Sequence, residues 1–280
     1  MWGILLALAS TAFEEVSDAI GKKQVGDRVV SFYTFGFLTL LFSTTFLVAT
    51  GLFRGSLIFS VDSLPTFVPR VVLEILQAYV TVRAITLADR GDFGFFRTLT
   101  IPILLGIDFF LGYTVAPLQM VGMALIFLPV FALAINEFGE VKGLRYLLIA
   151  SVNGAITISL FKYDITHFNS IEAEQSIIGL VLLVYFFAMA RRTTGENPFR
   201  FLRKRIFAFQ TFASGVSAIA GTFAYAFAPA SIIVATLRSS AVLAAMLTGK
   251  FYFREKHFLV RAVLFTLVLA GLVLLVPMYR

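Results

Sequence analysis

Residues 92–111 read DFGFFRTLTIPILLGIDFFL, and residues 230–249 read ASIIVATLRSSAVLAAMLTG. Both stretches are largely apolar, and each has an arginine inside it: Arg97 in the first, Arg238 in the second. The two arginines lie 141 positions apart in a chain of 280 residues, close to half its length. A charged side chain at mid-membrane depth costs roughly 2.5–3.5 kcal/mol on insertion scales. Carrying that cost at matching positions in two halves predicts a duplicated unit with a shared polar centre. Secondary transporters follow this plan, with the substrate site near the midplane where two repeats meet.

Composition points the same way. The hydrophobic fraction is 59% and the charged fraction 14%, against about 45–50% and 25% for a soluble globular chain. This predicts an integral membrane protein with almost all of the chain in the bilayer. With no cysteine, neither a disulfide framework nor a thiolate-ligated metal site is possible. His167 and His257 are the only histidines, which argues against a His-based metal or haem site. The net charge of +7 comes mostly from residues flanking apolar segments, the pattern of cytoplasmic loops rather than of nucleic-acid binding. The first apolar segment lacks a basic leader and carries Glu14, Glu15 and Asp18, so it reads as a retained helix rather than a cleaved signal peptide.

About 20 apolar residues are needed to cross the hydrocarbon core as a helix. Charged, Gly and Pro clusters punctuate the chain into ten such segments. They fall at 2–21, 29–52, 67–88, 92–111 and 115–135 in the first half, and at 144–162, 170–190, 206–228, 230–249 and 258–278 in the second. The expected fold is an all-α polytopic membrane protein of ten transmembrane helices. Residues 1–140 and 141–280 would each form a five-helix repeat. A unit with an odd number of crossings enters the membrane in opposite senses, so the two repeats would be inverted. Of the 23 lysines and arginines, 16 lie in or beside the odd-numbered connections and 4 in the even connections and termini. The positive-inside rule then puts the odd connections in the cytoplasm and both termini outside, in the cell (inner) membrane.

Three groups of residues stand out. Glu14, Glu15 and Asp18 in the first helix are candidate ion-coupling carboxylates, since desolvation brings a carboxyl toward physiological titration. They could equally sit wetted near the helix end, paired with Lys22 and Lys23. In the third helix Glu74, Gln77 and Tyr79 are candidate substrate contacts, Glu74 and Gln77 sharing a face with Thr81 at helical spacing. The alternative is an interhelical hydrogen-bond cluster. Arg97 and Arg238 offer planar forks suited to a carboxylate or phosphate, or are neutralised by Glu74, Glu14 or Glu15. In the eighth helix Gln210 and Tyr225 belong to a polar stripe with Thr211, Ser214, Ser217 and Thr222 that serves substrate contact or helix packing. The basic run Arg191–Arg205 reads as an anchor on the anionic leaflet. No nucleophile–base arrangement, Walker loop, cofactor motif or metal-ligand cluster is visible, so no enzyme activity is expected.

Several stretches resemble the drug/metabolite transporter superfamily in its ten-helix EamA-like form. Glu15-Val16, with Lys23 eight residues after the glutamate, is similar to the first helix of the small multidrug resistance proteins. The stretch 111–126, LGYTVAPLQMVGMALI, resembles the family's short loop into the last helix of the repeat. Phe253-Arg254-Glu255-Lys256 resembles its acidic loop motif, with Arg254 in place of the usual glycine; in the first half Thr114 stands where the glutamate would be. Pro102 in Arg97–Pro102 resembles the fourth-helix pattern. Thr236–Ser240 resembles the ninth helix of the triose-phosphate and nucleotide-sugar branches, where a basic residue meets the substrate's phosphate. The resemblance implies alternating access driven by an ion gradient or by exchange. The acids favour an amine and the arginines an anion, and a zwitterion such as an amino acid satisfies both. The expected partners are a small-molecule substrate and the bilayer, with the chain acting as monomer or homodimer. A lipid-linked sugar carrier and a non-transporting scaffold are the alternatives.

Overall fold

A computed structural model describes residues 2–110, 117–136, 142–224, 230–255 and 258–275, and these residues are helical apart from short connections. The helices are α1 (Trp2–Gly26), α2 (Phe32–Arg54), α3 (Leu64–Leu87), α4 (Arg90–Thr98), α5 (Thr100–Phe110), α6 (Pro117–Asn136), α7 (Leu144–His167), α8 (Ile171–Thr194), α9 (Pro198–Phe201), α10 (Arg205–Ala224), α11 (Ala230–Phe251) and α12 (Phe258–Leu275). Within the described residues each of the ten predicted segments falls on helix, one of them interrupted. Among the described residues, α2, α7 and α8 are long and apolar enough to cross a membrane. At 23 or 24 residues each extends about 35 Å, beyond the roughly 30 Å of hydrocarbon. By length and composition these three helices are candidate membrane spans, the pattern of a membrane protein. The helix α1 breaks its apolar run with charge at Glu14, Glu15 and Asp18, whereas α6 and α12 carry shorter apolar stretches at Met120–Pro129 and Phe258–Gly271.

Local chemistry sets the ends. Ser31 caps α2, its hydroxyl accepting from the Thr34 N–H at 3.2 Å, and Gly55 closes the helix in the left-handed region at φ 63°. Ser170 caps α8 in the same way through Ala173 N–H at 3.2 Å. Glu172 and Glu174 then stand in the first turn of α8, where the helix dipole favours acids.

The structure corrects one segment. Residues 92–111 were expected as a single helix, yet α4 ends at Thr98 and α5 begins at Thr100. Pro102 has no N–H to give the carbonyl four residues back and its ring crowds that carbonyl. The chain tightens there, and Leu99 N–H bonds Phe96 O at 3.1 Å. Arg97 therefore sits in the last turn of a broken helix, where the negative end of the dipole favours a cation.

The helices pack in defined pairs: α1 on α10 and α11, α2 on α8 and α10, α3 on α7, α4 on α11, and α6 on α12. A buried apolar cluster including Phe35, Leu38, Ile85, Phe96, Leu147, Phe186 and Phe207 ties α2, α3, α4, α7, α8 and α10 together. Polar side chains stitch the same seams. Ser10 Oγ donates to Ser217 O at 2.8 Å, and Ser214 Oγ donates to Thr39 O at 2.8 Å. Small residues let helices close on one another, as expected where lipid supplies no hydrophobic driving force between them.

One such point beside the charged groups is Gly94. A Cβ there would lie 3.2 Å from both Val242 Cα and Ala245 Cβ, whereas a Cβ at Gly26 would meet nothing within 4 Å. Gly94→Val is expected to destabilise the protein by about 1–3 kcal/mol, and Gly26→Ala to leave it unchanged. Thermal unfolding in detergent checks this; equal melting of Gly94→Val and wild type would refute the close α4–α11 approach.

Candidate functional site

The site is built on one face of α1. Thr11, Glu15, Asp18 and Lys22 recur at helical spacing and meet the neighbouring helices; Thr11, Glu15 and Asp18 are buried. Buried carboxylates need counter-ions, and α4 supplies them. Arg90, the first residue of α4, is 1% exposed. Its fork takes Glu15 in two parallel bonds, Nε to Oε1 at 2.9 Å and Nη2 to Oε2 at 2.7 Å. Nη2 also donates to Asp18 Oδ2 at 3.0 Å. Two turns along α4, Arg97 Nη1 donates to Glu14 Oε1 at 2.5 Å.

The two pairings differ in exposure. Arg90, Glu15 and Asp18 are closed off, while the side chains of Arg97 and Glu14 are 36% and 32% exposed. Arg238 on α11 also acts on Glu14 through its charge. The helix carrying Arg238 is tied to α1 by the Thr11–Ser240 hydroxyl contact of 2.8 Å. Glu14, Glu15, Asp18, Arg90 and Arg97 line one small pocket with Thr11, Phe93, Gly94, Ala241 and Ala245. The cavity measures about 10 Å³, room for about one water, and it is open on one side. One nitrogen of Arg90, Nη1, is buried without an acceptor.

A second ionic layer lies behind the pocket, at the α4 N-terminus. Glu255 Oε1 accepts from Lys22 Nζ at 2.9 Å and from Arg90 N–H at 2.6 Å. Glu255 Oε2 accepts from Gly91 N–H and Arg261 Nη1, each at 3.2 Å. Arg261 Nη2 reaches Asp92 at 2.6 Å. A carboxylate on a helix N-terminus is favoured by the dipole and the free N–H groups. Here it docks the α11–α12 connection onto α1 and α4.

The structure thus brings together Glu14, Glu15, Asp18, Arg97 and Arg238 of the predicted residues, and puts others elsewhere. Glu74 pairs with Arg70 at 3.5 Å. Gln77 bonds Thr81 at 3.1 Å and accepts from Asn153 at 2.9 Å. Tyr79 sits among Phe32, Tyr33 and Tyr146, with Arg83 beside it. Gln210 is buried and donates to Ser17 at 3.0 Å and Thr39 at 3.1 Å, joining α10, α1 and α2. None of these four lines the pocket. Tyr225 and the side chain of Asp108 lie outside the described residues. Among the described residues, no group of three acidic or histidine side chains is placed to hold a metal ion.

Arg90 was hidden by its position: beside a two-residue turn, it reads as one of many loop cations. The signal that points to it is the acid excess of the first helix, which demands more counter-ions than the apolar segments offer. Comparison of the chain with protein-family models gives no match, and comparison with curated proteins gives none.

Removing one partner of a buried ion pair leaves an uncompensated charge, at about 3–5 kcal/mol. Arg90→Gln is therefore expected to lose stability of that order. Glu14→Gln, at a half-exposed pair, should change stability by under about 1 kcal/mol. Chemical unfolding of both variants checks the order, and a reversed order would contradict the assignment of Arg90 as the structural cation.

Proposed function

We propose that this chain is a secondary transporter of a small polar solute, with ten helices crossing the membrane as two inverted five-helix repeats. The single observation that carries the reading is the Glu14–Arg97 pair, one acid and one base, about one-third exposed in a pocket between helices. A zwitterion can replace both partners at once. Its carboxylate takes the fork of Arg97 and the field of Arg238, and its ammonium takes Glu14. The unpartnered Nη1 of Arg90 adds a donor on the anionic side. The exchange trades one ion pair for two, so the solute enters a low-dielectric site without leaving a charge bare.

Helix packing supports the repeat. At the 141-residue offset α1 matches α7, α2 matches α8, α3 matches α10, α4 with α5 matches α11, and α6 matches α12. Under that exchange, α1 on α10 becomes α7 on α3, and α1 on α11 becomes α7 on α4 and α5. The α2–α8 and α6–α12 pairs map onto themselves, and all of these packings are present. Two halves that meet through self-related pairs can rock against each other around a fixed centre, which is the alternating-access motion. The partial exposure of Glu14 and Arg97 speaks against a scaffold, whose intramembrane charges would be closed off.

The test is stabilisation of detergent-purified protein by a panel of amino acids, amines, carboxylates and sugar phosphates. A ligand at 100 times its dissociation constant adds about 2.7 kcal/mol. An amino acid is expected to give this shift, and Arg97→Ala and Arg238→Ala to lose it while folding normally. Stabilisation by none of the panel would remove the proposal.

A further inference from the structure

The start of α3, the end of α7 and the start of α8 meet at the end of the bundle opposite Lys22 and Glu255. The length of α8, Ile171–Thr194, separates the two ends by about 35 Å. Arg70 is 1% exposed, and Asp164 and Glu174 are fully buried. Arg70 Nη1 donates to Glu174 Oε2. Asn169 Nδ2 donates to Glu174 Oε1 at 2.9 Å, and Thr66 Oγ1 donates to Asp164 Oδ1. The remaining oxygen, Asp164 Oδ2, is buried and receives no donor.

The neighbour of Asp164 is Glu174, and their carboxyls interact both by charge and within hydrogen-bond reach. Ionised carboxylates only accept hydrogen bonds. Two of them can be joined only by a proton on one, and like charges at that range do not both ionise in a buried place. The facing charges are Arg70 and Glu74 from α3, Asp164 from α7 and Glu174 from α8. The Glu74 side chain is 20% exposed beside Arg70. His167 and Asp62 are exposed and Glu172 is half-exposed. The packed face of α2 adds no charge, since its one basic residue is the terminal Arg54.

We propose that Asp164 and Glu174 form a proton-binding site, in which one shared proton joins the two carboxyls and Arg70 balances the remaining negative charge. The proton comes from and returns to solvent at this end of the bundle, where Glu74 is the partly exposed group next to Arg70. Losing it adds a negative charge beside Arg70 and changes how that guanidinium is divided between Glu174 and Glu74. On the transporter reading above, on which this role rests, the pair is the coupling site. Glu14, Glu15 and Asp18, each held by an arginine, are then left to the solute and to structure.

Infrared difference spectroscopy of the purified protein reads protonated carboxyl groups directly and needs no solute. Wild type near neutral pH should show a carboxylic-acid band that alkaline titration removes. Asp164→Asn should lose one protonated carboxyl per molecule, and Glu174→Gln the same, with helical content by circular dichroism unchanged in at least one of them. An identical band in wild type and in a folded variant would overturn the site and leave the transporter reading intact. A lost band in a protein that moves no solute would keep the site and remove the transporter reading.

Discussion

The bidentate grip of Arg90 on Glu15, extended to Asp18, is the contact on which the central architecture depends. Glu15 and Asp18 cannot be buried in an apolar bundle without cations at hydrogen-bond range. That requirement fixes where α4 goes. Its first residue must face Asp18 and Glu15, and two turns later Arg97 then falls opposite Glu14. The glycine at 94 allows α4 to close on α11 while this happens, and α11 brings Arg238 toward the same carboxylate.

The two ends of the bundle solve the same problem with different residues. At one end Glu255 gathers Lys22, Arg261 and two N–H groups of α4. At the other, Arg70 serves Glu174 and Glu74, and Asp164 keeps an oxygen without a donor. The first network is rich in cations and closes a connection onto two helices. The second has more acid than base, so it is the end at which a proton completes the charge balance. If the two halves rock, the ends alternate between closed and open, and their different chemistry gives each its own response to pH.

Much of this was legible in the sequence because hydrophobic runs and charge interruptions report helix positions directly. The described parts of the ten segments fall on helices since each needs only local apolarity. The break at Leu99 was missed although Pro102 was in view, because a proline inside an apolar run is compatible with either a kink or a stop. Glu14 and Arg97 stood out as charges in apolar stretches, and both line the pocket. Gln210 and Gln77 stood out for the same reason but bridge helices, and polarity alone does not separate these roles. Arg90 and Asp164 escaped notice, and Glu255 stood out only as part of a loop motif, because they sit at helix ends, where charge is ordinary, and only the three-dimensional meeting of distant ends gives them partners.

The central claim is that water and solute reach the Glu14–Arg97 pocket between helices. The chain has no cysteine, so a single introduced thiol reports its own surroundings. Ala241, which lines the pocket, and Val184, an exposed apolar residue of the membrane-length helix α8, give the direct comparison in membranes with a charged, impermeant thiol reagent. The account predicts that Ala241→Cys reacts and is protected by a bound zwitterion, while Val184→Cys stays unlabelled. An Ala241→Cys that remains as inert as Val184→Cys would contradict it.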